Sequence, residues 1–196
     1  MTAKEQLEFY KNQIKSNPEL ENALWNCEFV FDENVDVEKE ILICGEKSNY
    51  SIYPFGKDSC GSNYVILDNK FVGFISSEGG CGIIADNIND FFNFLAICKN
   101  LQSYFYRGVF DNIESFNKKV KEVNDEDVSP EEHTIFEKFI KDNNFITDTN
   151  ILYKKLKAAL ITEPAFILQA NPDEYSQWDD VFYTEQEYIN ELRKNR

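Results

Sequence analysis

The sequence has a single histidine, His133, and it has only 20 lysines and arginines against 35 acidic residues among 196. One histidine excludes any site that needs two imidazole groups and leaves one candidate for a catalytic triad. The formal net charge of −15 at pH 7 excludes a general attraction to nucleic acid or to anionic membranes, because both require clustered lysine and arginine. We therefore expect no direct nucleic acid partner and no membrane partner.

Closely spaced cysteines and long apolar runs are also lacking. The five cysteines are at least sixteen positions apart, so no C-x-x-C pair is present for zinc or redox chemistry. No stretch approaches the ~18 apolar residues of a membrane span, and the first residues lack the apolar core of a signal peptide. These features predict a cytoplasmic protein with reduced cysteines. We expect no metal, no cofactor and no catalytic residue.

Hydrophobic residues make up 42% of the chain and aromatic residues 15%, which predicts a folded protein with a sizeable core. Short β-branched and aromatic runs bounded by turn residues predict strands. These runs occupy residues 28–31, 40–44, 50–55, 63–67, 71–76 and 81–85. Their connections are too short for parallel crossovers, so we expect an antiparallel meander of five to six strands.

Helical patterns flank these strands. Apolar spacing predicts a helix over residues 3–15, a second after Pro18, and a third that begins at Asp86 or Asn87 and covers the sheet. Beyond about residue 107 the pattern is helical, with a capping box at 129–132. We therefore predict an α+β fold in which residues 1–106 form the core and residues 107–196 form a helical extension packed on it.

An acidic and aromatic segment spans residues 171–191. It contains seven acidic residues, five aromatic residues and no lysine or arginine, and Tyr175, Trp178 and Phe182 share one face of a predicted helix. Rigid aromatic side chains flanked by charge favour a protein interface. The alternative interpretation is a last helix that packs its aromatic side chains on the core and exposes its acids to water. The candidate partner-binding residues are Asp173, Glu174, Tyr175, Trp178, Asp179, Asp180 and Tyr183.

His133 follows Pro130-Glu131-Glu132 in the polar first turn of a predicted helix. Such a position is usually solvated, so we expect no catalytic role for His133. Carboxylates are so numerous that spacing alone singles out no general acid and base.

Two stretches resemble the SUKH superfamily, roughly over residues 50–96. Residues 53–67 (YPFGKDSCGSNYVIL) are similar to the strand, glycine-containing loop and aromatic-led strand of that family. Residues 82–95 (GIIADNINDFFNFL) are similar to its closing strand and following helix. In physical terms, Gly61 supplies a turn, and Phe55, Tyr64 and Phe91 are expected in the core.

The resemblance implies a non-catalytic binding protein. Many bacterial members are immunity proteins that neutralise toxins, frequently nucleases, and fungal relatives regulate cell-wall synthesis. An acidic inhibitor suits a basic, nucleic-acid-binding toxin, because opposite charges accelerate association. We therefore expect a basic protein partner. Two alternatives stay open, a housekeeping regulatory module of the same fold and a small carboxylate-dependent hydrolase.

Overall fold

The computed structural model describes residues 1–42, 47–77, 79–126, 128–169, 179–180, 188, 191–192 and 194. The fold is α+β, as the sequence predicts. The α-helices are α1 (Ala3–Lys15), α2 (Pro18–Asn26), α3 (Ile88–Cys98), α4 (Ile113–Glu126), α5 (Pro130–Asn143) and α6 (Thr149–Leu160). The strands are β1 (Val30–Phe31), β2 (Lys47–Ser48), β3 (Ile52–Lys57), β4 (Asn63–Leu67), β5 (Phe71–Ile75), β6 (Gly80–Ala85), β7 (Leu168–Gln169) and β8 (Asp179–Asp180).

The main sheet has the strand order β1-β3-β4-β5-β6-β8. The connections from β3 to β6 are short, and these strands pair antiparallel as a meander, which confirms the predicted topology. Strand β8 joins β6 in parallel. A second, two-stranded sheet pairs β2 with β7. The tight connection between β4 and β5 closes through Asp68 and Asn69, whose positive φ angles are those of a type I′ hairpin turn.

The helices begin where the sequence places capping residues. Ser129 and Glu132 form a reciprocal capping box at the start of α5, and Asn87 caps α3. Asn17 caps α2 immediately before Pro18, which suits a first helical position. Local polar chemistry therefore fixes where these helices start.

Two details differ from the sequence prediction. The first is the strand expected over residues 40–44. Its first two residues, Glu40 and Ile41, instead belong to a π-helical turn, Val37–Ile41, which Asp36 caps, so the prediction is wrong there. Strands β7 and β8 also lie in the half of the chain that the pattern predicts as helical. Both are only two residues long and are defined by pairing with distant strands, so no local periodicity indicates them.

The core lies on both faces of the main sheet. Alternate residues of β4 point to opposite sides, so Tyr64 and Ile66 belong to one buried cluster and Val65 and Leu67 to the other. The centre of the first cluster is aromatic, and its rings lie 5.1–6.2 Å apart between centroids. These rings belong to Phe29, Phe55, Tyr64, Phe91 and Phe92. The predicted core positions of Phe55, Tyr64 and Phe91 are confirmed.

The helices after residue 107 pack against earlier elements. Helix α5 lies against α2 and α3, and α6 lies against β6. The first buried cluster takes residues from both halves of the chain, for example Leu7 and Phe136. The division at residue 106 stays a prediction.

Among the described cysteines, Cys27, Cys81 and Cys98 are buried and Cys60 is exposed. No helix in the described part of the chain has the length and apolar character needed to cross a membrane.

Candidate functional site

Most of the partner-binding residues predicted from sequence lie outside the described residues. These are Asp173, Glu174, Tyr175, Trp178 and Tyr183. The remaining two, Asp179 and Asp180, form β8, and their backbone pairs with Gly80 and Cys81. The helix expected across residues 175–182 is therefore wrong at positions 179–180, because strand pairing with β6 defines this short stretch.

A groove of about 750 Å³ lies between α2 and the start of α5. A second depression, of about 340 Å³, continues it towards α1 and shares its residues Glu19, Thr134 and Ile135. We call the two depressions together the acidic groove. Twelve further residues line it. They are Gln13, Ser16, Asn17, Leu20, Asn22, Asn26, Ser129, Glu131, Glu132, Lys138, Phe139 and Asp142.

The capping box of α5 fixes Glu132 in this groove. The Ser129 backbone N–H donates to Glu132 Oε2 at 2.8 Å, and Asn26 Nδ2 donates to Glu132 Oε1 at 2.6 Å. The second bond joins α2 to α5 across 106 sequence positions. Partial burial raises the pKa of the Glu132 carboxyl, but the donors from Asn26 and Ser129 outweigh it and hold the pKa below its usual value. Glu132 is therefore a fixed negative charge.

Three other acceptors in the acidic groove have no partner among the described residues. Neither Glu19 nor Glu131 forms an ion pair with any described residue, and both side chains are exposed. Gln13 Oε1 is buried and receives no hydrogen bond from the described residues. Asp142 accepts a hydrogen bond from Lys138, the one lysine among the described residues that line the groove. The groove therefore offers an excess of acceptors and negative charge, which a segment rich in N–H donors and positive charge would satisfy.

Exposed aromatic side chains occur on the same helices. Trp25 of α2 is 53% exposed and follows the groove residue Asn22 by one helical turn, and Phe9 of α1 is 54% exposed. Tryptophan is enriched among the residues that dominate the binding energy of protein interfaces. Trp25 therefore exposes an apolar side chain on the helix that forms one side of the acidic groove.

His133 lies on α5 but does not line the acidic groove. It lines a separate cleft between α3, α4 and α5, where it is half-buried and a ring nitrogen lies 3.1 Å from the Asn124 carbonyl oxygen. The solvated position expected for His133 is found only in part, because Asn124 of α4 lies against its ring. Within the described residues, no three His, Cys, Asp or Glu side chains are grouped so that they could hold a metal ion.

The acidic groove was not predicted from the sequence. Its two sides come from residues near 20 and near 132, and no local pattern shows that α2 and α5 are neighbours. One signal was available. The capping box at 129–132 needs only Ser129 and Glu132, so Glu131 adds a negative charge in the first turn of α5 that the box itself does not use.

Comparison of the whole chain with known protein families, with curated proteins and with solved structures finds no match. Membership of the SUKH superfamily stays a prediction from the residues of 50–96.

Proposed function

We propose that this protein is a non-catalytic binding protein that neutralises a basic protein toxin. The observation that carries the proposal is the acidic groove, where the carboxylates of Glu19 and Glu131 and the buried Gln13 Oε1 have no partner among the described residues. A buried acceptor without a donor is unfavourable by about 1–3 kcal/mol, so a donor-rich partner gains by filling it.

The net charge supports the same class of partner. With 35 acidic residues against 20 lysines and arginines, the protein attracts a cationic surface over distances of about a Debye length, 8–10 Å at physiological salt. A nuclease needs such a surface to hold its substrate, so an acidic protein that covers it blocks substrate binding. The similarity of residues 50–96 to immunity proteins supports this partner independently.

The geometry favours binding over acid catalysis at this groove. A catalytic acid needs a carboxyl group with a raised pKa, whereas hydrogen bonds from Asn26 and Ser129 lower the pKa of Glu132. A permanently charged carboxylate suits electrostatic recognition. A housekeeping regulatory module of the same fold would use the groove in the same way and differs only in the identity of its partner.

The test is growth rescue and direct binding with a basic toxin domain taken from a gene adjacent to this one, and the lack of such a gene would count against the proposal. Co-expression is expected to restore growth, and calorimetry is expected to show an affinity that falls as salt is raised. The variant Glu19→Lys with Glu131→Lys reverses two unpaired groove charges. We expect it to weaken binding by about 100-fold, since each reversal replaces an attraction with a repulsion.

The matched control is Glu38→Lys with Glu114→Lys. It makes the same change in net charge at two exposed positions, on the π-helical turn and in the first turn of α4, and neither residue lines the acidic groove. Binding by this control should stay within a few-fold of the unmodified protein. Equal losses in the two variants would show that only net charge matters, and the absence of any bound or neutralised toxin would refute the proposal.

A further inference from the structure

Lys99 is a buried lysine at the end of α3. Only 2% of the residue is exposed, and its backbone has φ 63° and ψ −117°, a conformation that favours glycine. A lysine at such a position combines backbone strain with the loss of hydration of its amine. Both are unusual for a residue type that normally lies at the surface.

The Lys99 amine forms no ion pair with a described carboxylate. Its Nζ donates a hydrogen bond to the Ala96 carbonyl oxygen and lies 3.4 Å from the centroid of the Phe136 ring. No ion pair joins Lys99 to any acid in the described part of the chain. An exposed lysine can also donate a hydrogen bond to a carbonyl oxygen in the last turn of a helix. The bond to Ala96 therefore does not explain why Lys99 is buried.

A cleft of about 450 Å³ borders this amine. Both groups that Nζ contacts, Ala96 and Phe136, line the cleft, and Ile97, Val120 and Ile140 complete its apolar wall. The exposed charged residues Lys121, Asp125 and Glu137 lie at its rim. The cleft therefore combines an apolar wall with a buried amine and with polar side chains such as Asn117, Asn124 and Thr149, and such a mixture of surfaces suits a small molecule.

Burial changes the chemistry of the amine. Loss of hydration lowers the pKa of Lys99 to about 8, and the nearby Cys27, Cys98 and Glu132 oppose this shift only in part. At pH 7 about a tenth of the Lys99 side chains are uncharged, about 300-fold more than for a lysine at the ordinary value of 10.5. An uncharged amine is the form that attacks carbonyl carbon.

We propose that the cleft between α3, α4 and α5 binds a small apolar aldehyde or ketone, which Lys99 captures as an imine. The amine nitrogen adds to the carbonyl carbon, and the carbonyl π electrons move to oxygen. Both amine hydrogens then leave with that oxygen as water while the C=N bond forms, so no oxidant or reductant takes part.

His133 also lines the cleft. Its Nε2 lies 3.1 Å from the Asn124 carbonyl oxygen, which can only accept, so Nε2 carries a hydrogen and this bond holds the ring at the wall of the cleft.

The test uses the full chain at pH 7 with limiting propionaldehyde and sodium cyanoborohydride, which reduces an imine to a stable propyl amine. Peptide mass mapping then compares Lys99 with Lys118, whose side chain is 78% exposed. We expect Lys99 to be propylated at least about 10-fold faster than Lys118, because its uncharged fraction is larger. Equal or slower labelling of Lys99 would overturn the proposal without any variant.

Two variants test the cleft itself. Ile140→Trp places a large side chain in the cleft and is expected to bring Lys99 labelling down to the rate of Lys118. Ile113→Trp is the matched control, because Ile113 is also a partly buried isoleucine, at the start of α4, and does not line the cleft. It should leave fast labelling unchanged. Fast labelling that persists in Ile140→Trp would show that the aldehyde does not enter through this cleft and would refute the site.

Discussion

The ammonium of Lys155 in α6 donates hydrogen bonds to both carboxylate oxygens of Asp90 in the first turn of α3, at 2.9 and 2.7 Å. Asp90 is 4% exposed, and 65 sequence positions separate the two residues. A carboxylate is favoured at a helix N-terminus, where the helix dipole is positive. The pair therefore stabilises α3 locally and fixes α6 on the core at the same time.

Lys155→Met is expected to destabilise the protein by about 3 kcal/mol, because it leaves the buried Asp90 charge without its counterion. Adding Asp90→Asn should recover part of this loss, since the remaining buried group is then neutral. Urea unfolding of the single and double variants measures both effects. The exposed neighbour Lys154 provides the control, and Lys154→Met should change stability by less than about 0.5 kcal/mol. Strictly additive effects of the two changes would contradict the coupling.

Gly56 of β3 is required by the close approach of the strand to Phe29. A Cβ atom added at Gly56 would lie 2.6 Å from Phe29 Cε2 and 2.9 Å from the Val30 carbonyl oxygen. Gly56→Ala is therefore expected to destabilise the protein by about 2 kcal/mol, through displacement of the ring and of β1.

Shortening the opposing side chain tests this explanation. In a Phe29→Leu background, Gly56→Ala should be less destabilising than in the unmodified protein, because the ring that obstructs the Cβ is gone. Thermal unfolding of all four proteins gives the coupling. An unchanged penalty would place the strain at the Val30 carbonyl instead.

Local chemistry made much of this fold predictable. The caps at Asn87 and Ser129 and the short connection at Asp68 and Asn69 act within a few residues, so the sequence indicates them directly. Strand β7 shows the opposite case. Its two residues pair with Lys47 and Ser48, about 120 positions away. A strand of two residues is too short to show the alternation of apolar and polar residues that predicts a strand.

The candidate site was harder to predict than the fold. The acidic groove depends on the contact of Asn26 with Glu132, which only tertiary packing creates. Lys99 was equally hidden, because the sequence around it gives no sign that α4 and α5 bury its amine. The acidic and aromatic segment over 171–191 was the stronger pattern in the sequence, and its role in partner binding stays a prediction.

The last prediction concerns the pH dependence of stability. Burial lowers the pKa of Lys99 to about 8 in the folded chain, whereas the unfolded chain keeps the ordinary value of 10.5. Between pH 8 and pH 10.5 the unfolded chain binds more protons than the folded chain. The contribution of Lys99 to the free energy of unfolding therefore rises with pH. Below pH 8 the amine is charged in both states, and the contribution is at its lowest.

Lys99→Met removes this titration. The stability of the unmodified protein minus that of Lys99→Met should therefore rise by about 3 kcal/mol between pH 7 and pH 10.5, with most of the change above pH 8. Taking the difference cancels the titration of the tyrosines, and burial raises the pKa of the adjacent Cys98 to about 12, above this window. Urea unfolding of both proteins across the range gives the measurement. A difference that does not vary with pH would show that the Lys99 amine is hydrated in the folded protein, and the imine site would then lose its reactive amine.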